Sequence, residues 1–132
     1  MTPVILFFVG LIVLAVFVLT WVLIMRMRRR LSKSATSRIR SLIEKANHLP
    51  DHMLRILEYD KVLDQLLAEL GFDGSTGDKL KKGGARFSNK QALWNGHKIR
   101  NTLAHAHGAQ AKSGDADSFR DALVRALAQV GS

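Results

Sequence analysis

The chain has 132 residues, no cysteine, and 20 basic against 11 acidic side chains, for a formal net charge of +9. Without cysteine it can form neither disulfides nor thiolate metal sites, so its compartment must be argued from topology. Setting aside the apolar start and the basic collar behind it leaves about 100 residues, enough for one small domain with a modest core.

Residues 3–25 carry no charged side chain. At ~1.5 Å of rise per residue such a helix reaches ~34 Å, enough to cross a hydrocarbon core of ~30 Å with some tilt. Thr20 interrupts the run, but a helical threonine can bond back to its own backbone. The next five residues are Arg26-Met27-Arg28-Arg29-Arg30, and Lys33, Arg38 and Arg40 follow with no acid before Glu44. Basic residues flanking a span stay cytoplasmic, so the amino terminus is expected outside and residues 31–132 inside. Trp21 then falls near the inner interface. A cleaved signal peptide would need its basic residues ahead of the apolar stretch, and here they lie behind it.

The collar accounts for most of the charge. Residues 26–43 hold seven of the basic residues and none of the acids, leaving 13 basic and 11 acidic residues over 44–132. Orientation and attraction to anionic lipid, worth ~1 kcal/mol per basic residue near the surface, explain that excess.

Beyond the span, every long segment reads as helix, and the expected fold class is all-α: one N-terminal transmembrane helix followed by a small antiparallel helical bundle. The domain reading is an anchor over 1–25, a basic juxtamembrane segment with an amphipathic helix over 26–50, and the bundle over 51–132. In the juxtamembrane helix Leu31, Ala35, Ile39, Leu42, Ile43 and Ala46 recur at helical spacing. Both a helix lying on the bilayer and a stalk continuing the span fit that pattern. Leu49-Pro50 breaks it, and Asp51 is placed to open the next helix.

That helix extends to about Leu70 and ends at Gly71, with Met53, Ile56, Leu57, Leu63, Leu67 and Leu70 as its apolar stripe. Asp60 falls inside the stripe. Buried, its carboxylate would need a base or a helix end as partner; at the boundary, it would stay in water.

Residues 71–88 are glycine-rich, with a short helical turn capped by Ser75 or Thr76 and pinned at its ends by Phe72 and Phe87. Gly77 and Lys79 do not make a phosphate loop, because the Gly-Lys-Ser/Thr ending and a preceding strand are both missing. Ser88 or Asn89 can cap the helix that follows, to about Ala106, before a stop at Gly108. The last helix starts near Asp115, with Phe119, Ala122, Leu123, Ala126, Leu127 and Val130 as its core face. From Asp78 to Arg100 there are seven basic residues against one acid, which is either a phosphate-facing surface or a solvated face.

One stretch carries chemistry: Leu93-Trp94-Asn95-Gly96-His97-Lys98-Ile99-Arg100-Asn101-Thr102-Leu103-Ala104-His105. On a helical projection His97, Arg100, Asn101 and His105 share one broad face. Ala92, Ile99, Leu103 and Ala106 occupy the other. Arg100 to His105 resembles the signature of the HEPN superfamily, an Arg, a polar residue, a few more, then His, late in a helix of an all-α bundle. Asp60 and Asp64, Gly71 and Gly74, Phe87, Leu93-Trp94 and His97 extend the resemblance to short bacterial HEPN-like proteins over roughly residues 51–130.

The resemblance implies one of two behaviours. As a metal-independent endoribonuclease acting as a dimer, the protein would use His105 as general acid or base and Arg100 to hold the phosphate. Asn101 would orient one of them. Lys79, Lys81, Lys82, Arg86, Lys90 and Lys98 would guide RNA, and Asp60, Asp64, Trp94 and His97 would support the motif. As a non-catalytic module it would bind a partner or self-associate through the Arg100–His105 face, with Arg100, Asn101 and His105 paired to Asp60 or Asp64 across the bundle. No cofactor is expected. His97, His105 and His107 are spaced i, i+8, i+10, which sets no tight metal-binding pair on one turn.

Overall fold

The computed structural model describes residues 2–132, and the side chains of all of these except Arg26 and Met27. Six α-helices and a short 3-10 turn make up its regular structure, and no strand occurs among the described residues. Helix α1 (Pro3–Arg28) opens with proline at its first position, where a missing N–H costs nothing, and the Thr2 hydroxyl accepts from the Ile5 N–H. Thr20 returns its hydroxyl to the Val16 carbonyl at 2.8 Å. The segment Pro3–Met25 is long and apolar enough to cross a membrane. None of it is covered by the rest of the protein.

Helix α2 (Lys33–Asn47) is capped by Ser32 and presents Ala35, Thr36, Ile39, Ile43 and Ala46 to the interior. It is neither a stalk nor a surface helix. Its apolar stripe packs on α3 (His52–Glu69) and α6 (Ser113–Val130), so the bundle begins at Leu31 rather than at residue 51. The four residues 48–51 around Pro50 reverse the chain, and Asp51 caps α3 through the Met53 N–H. Helix α3 is the hub, packing against α2, α4, α5 and α6, which is why Ile56, Tyr59, Leu63, Leu66 and Leu67 are all covered.

Gly71 ends α3 with φ +94°. Its N–H bonds the Ala68 carbonyl and the Phe72 N–H bonds that of Leu67, a Schellman stop that leaves Phe72 against Gly83. Ser75 and Asp78 form a capping box at the start of α4 (Thr76–Gly83), and a 3-10 turn over Gly84–Arg86 leads to α5 (Lys90–His105). Asn89 precedes α5 without capping it. Its amide instead donates to the Ala122 carbonyl and its oxygen accepts from Gln129, tying α5 to α6. Helix α6 starts at Ser113, two residues ahead of Asp115.

Helices α2, α3, α5 and α6 form an up-down-up-down bundle. Arg38 meets Glu69 between α2 and α3, Asp60 meets His97 between α3 and α5, Ser88 meets Gln129 between α5 and α6, and Leu31 meets Val130 between α6 and α2. The axes come close where α5 carries Gly96. A Cβ there would lie 2.5 Å from the Phe119 ring, itself packed edge-on against Tyr59.

Gly96 and Gly114 therefore separate helix propensity from packing. Gly96→Ala should lose about 1–2 kcal/mol net, overpacking outweighing the gain in propensity. Gly114, with open space around its Cα, should gain stability as Gly114→Ala. Chemical unfolding of the full chain in detergent, followed by helical circular dichroism, measures both.

Candidate functional site

The polar cluster is assembled by three helices. Asp60 and Asp64, four residues apart on α3, point to one side. Helix α5 brings His97 and Arg100 to Asp60, with Trp94 and Asn101 around the imidazole, and α4 brings Thr76 and Lys79 to Asp64.

Asp60 is 4% exposed and has lost nearly all its water. Its Oδ1 accepts from His97 Nδ1 at 2.8 Å, and its Oδ2 lies 3.4 Å from Arg100 Nε in an ion pair. The other side of the imidazole is taken as well, with Asn101 Nδ2 lying 3.3 Å from His97 Nε2. Arg100 Nη1 donates to Asn101 Oδ1 at 3.2 Å. These contacts close a ring in which each group fits its neighbour. Arg100 donates twice, Asp60 accepts twice, and the network assigns His97 the Nδ1–H tautomer, with Asn101 passing one bond on. Trp94 sets its edge against the imidazole at 5.9 Å between centroids, and Gly77 of α4 lies beside Nε2.

Burial pushes the Asp60 carboxyl above its ordinary value. The His97 hydrogen bond and the Arg100 charge oppose that shift and do not cancel it, while Asp64 adds to it. A turn further along α3, Asp64 accepts from Thr76 Oγ1 at 2.8 Å and from Lys79 Nζ at 3.0 Å. Two aspartates are thus matched by one arginine and one lysine.

The projection of α5 was legible, but not which side faces inward. Leu93, Gly96 and His97 are its buried residues, with Arg100 and Asn101 half-buried beside them. Ile99 and Leu103 are only partly covered, and Ala92 and Ala106 are exposed. The polar face is the inner one because Asp60 waits there.

His105 is not part of the cluster. It is the exposed last residue of α5, about 7.5 Å along the axis from Arg100, with no side-chain hydrogen bond among the described residues. The six basic residues expected to guide RNA do not gather around Arg100 and His105. Lys79 is buried against Asp64, Lys82 donates to the Asp73 carbonyl, and Arg86 donates to the Arg29 carbonyl at 3.1 Å. Lys90 lies over Gly84, while Lys81 and Lys98 are exposed. Among the described residues no group of His, Asp and Glu is placed to hold a metal ion. Thr76, Gly77 and Gly96 were not anticipated at the site; the repeat of Asp at 60 and 64 was the one signal that a second partner set must exist.

Beside Arg100 runs a groove of about 480 Å³ between α2 and α3, floored by Leu42, Leu49, Leu57 and Val62 and edged by Lys45 and Lys61. No family model, no curated protein and no solved structure matches the chain.

Two substitutions separate the ring from the exposed histidine. Asp60→Ala leaves His97 and Arg100 without their acceptor and should cost about 2–4 kcal/mol, whereas His105→Ala should change stability by no more than about 0.5 kcal/mol. The pH dependence has a defined sign. A carboxyl raised by folding contributes fully below its unfolded value, near 3.8, and loses that contribution as pH rises through the folded value. The wild type should therefore lose stability relative to Asp60→Asn over that interval, as read from unfolding curves at a series of pH values.

Proposed function

We propose that this is a single-pass membrane protein, amino terminus outside, whose cytoplasmic HEPN-like bundle is a non-catalytic interaction or self-association module. The observation that carries the reading is the closed ring. Asp60 occupies both His97 and Arg100, Asn101 occupies the remaining imidazole nitrogen, and His105 stands apart in solvent. A general base needs a free lone pair and a phosphate clamp needs free donors. Here His97 and two of the five N–H donors of Arg100 are engaged in holding α3 to α5, and His105 has no partner in the ring to orient it.

Self-association would use the face that includes the partly exposed Arg100 side chain and the apolar groove beside it. In that case Leu57→Lys in the groove should weaken the dimer at least about tenfold, since the swap places an ammonium where apolar area would be buried. Light scattering of the detergent-solubilised chain over a concentration series measures this, and an unchanged mass would remove the groove from the interface.

The second reading is a membrane-tethered, metal-independent endoribonuclease using Arg100 and His105. What favours it is that the Arg100 side chain keeps 36% exposure and His105 is open, so that two copies could bring one of each together. The full chain in nanodiscs is incubated with single-stranded RNA in the presence of chelator, beside His105→Ala. The non-catalytic reading expects no cleavage from either; cleavage by the wild type that His105→Ala abolishes would establish the ribonuclease instead.

Orientation has its own test, made simple by the absence of cysteine. Gln110→Cys places a thiol in the exposed loop after α5. A membrane-impermeant maleimide should label it only after cells are opened, and labelling of intact cells would reverse the topology.

A further inference from the structure

We propose that the end of the bundle from which α1 leaves is a lipid-contacting surface, in which Lys81, Lys82, Arg86 and Lys90 extend the basic collar and bind the anionic headgroups of the membrane that α1 spans. This rests on the spanning reading of α1 and goes beyond it, because the residues involved lie 50 or more positions from the span in sequence.

The first support is distance. The apolar segment ends at Met25 and the helix itself at Arg28, leaving four residues, 29–32, before α2. Four extended residues reach at most ~14 Å, and the headgroup layer on each face is ~5–7 Å deep. The link is also pinned rather than free. Leu31 is buried, its N–H bonds the Val130 carbonyl at 2.8 Å, and Arg30 donates to the Gly131 carbonyl at 2.8 Å. Ser132 closes the joint by bonding the Leu31 carbonyl and Thr36. The bundle cannot drift away from the bilayer by more than this link allows.

The second support is which end is held there. In the up-down-up-down arrangement the start of α2 and the end of α6 share one end with the finish of α3, the 3-10 turn and the start of α5. Arg86 of the 3-10 turn reaches the Arg29 carbonyl, and the Arg29 guanidinium lies against Gly71. Lys82 is fixed over the Gly71–Asp73 turn by the Asp73 carbonyl, and Lys90 passes over Gly84. The acids at this end, Glu69, Asp73 and Asp78, are outnumbered by Arg29, Arg30, Lys33, Lys81, Lys82, Arg86 and Lys90. Glu69 is paired with Arg38, and Asp78 is held below its ordinary carboxyl value by the Ser75 hydroxyl and backbone N–H. At the far end Asp51, Asp115 and Asp117 lie among Arg55, Lys112 and Arg120, with His105 and the 106–112 loop, so the charges there nearly balance. The bundle is thus more positive at the end from which α1 leaves, and that charge acts over a screening length of about 8 Å at physiological ionic strength. Such a surface attracts anionic headgroups.

The test uses the full chain in nanodiscs. Ala85→Cys, exposed in the 3-10 turn, carries a fluorophore, and a spin-labelled headgroup lipid in the disc quenches it; Gln110→Cys at the far end is the comparison site. With about a third phosphatidylglycerol in the disc, quenching at position 85 should be about twofold greater than in phosphatidylcholine alone. High salt, or Lys81→Glu with Lys90→Glu, should abolish that difference, while position 110 should show none. The lipid and salt arms need no variant, so a fold defect in the double substitution cannot hide the answer. Equal quenching at position 85 in both lipids overturns the inference and leaves the span intact. Failure of the chain to co-elute with discs overturns the spanning reading and the inference together. Release of the position-85 label from anionic lipid by added single-stranded RNA would assign the surface to nucleic acid and overturn the inference.

Discussion

A carboxylate on the buried face of a central helix must be matched by groups arriving from other helices, and Asp60 imposes that requirement on this bundle. The side chain is almost fully removed from water, and two donors from α5 meet its two oxygens. Breaking such a pair costs more than it contributes when intact, so the arrangement acts chiefly on specificity: only one rotation and one register of α5 against α3 satisfy it. Gly96 then permits the backbones to approach, with Phe119 filling the space that any Cβ would have taken. Asp64 repeats the demand a turn later and recruits α4 through Thr76 and Lys79.

Seen this way, residues that look like equipment for catalysis are largely occupied with folding. Arg100 and Asn101 hold His97 and Asp60, and the lysine nearest the cluster neutralises Asp64. The motif-like histidine at 105 is left at a helix end, where the imidazole meets solvent. The positive charge between 78 and 100 likewise divides by position: one lysine goes inside, and several others gather where α1 exits.

Much of the fold is written locally. The apolar start, the break at Pro50, the left-handed stop at Gly71 and the core face of α6 each follow from residues within a few positions of one another. The site is harder to read, because a helical projection groups residues by angle but does not say which angle meets the core. Ile99 and Leu103 fall on one face of α5 and His97 and Arg100 on the other, and the partner set by Asp60 is what turns the polar face inward. Asp60 itself could be flagged, since a charge inside an apolar stripe needs an explanation, yet whether it stayed wet depended on a helix 37 positions away. The amphipathic helix at 31–46 posed the same difficulty. Its stripe required an apolar surface, and lipid and protein satisfy that requirement equally well.

From the residues alone come the helices, their caps and breaks, the apolar segment long enough for a bilayer, and the asymmetry of charge around it. These depend on backbone sterics, local hydrogen bonds and composition, all short-range in the chain. The folded protein adds the pairings: α2 joined to the bundle, the ring around Asp60, His105 set outside it, and the basic turn brought to the exit of α1. Those are matters of long-range desolvation and packing. A buried charge chooses its partner from whatever the surrounding helices can deliver, and that choice is made only when they meet.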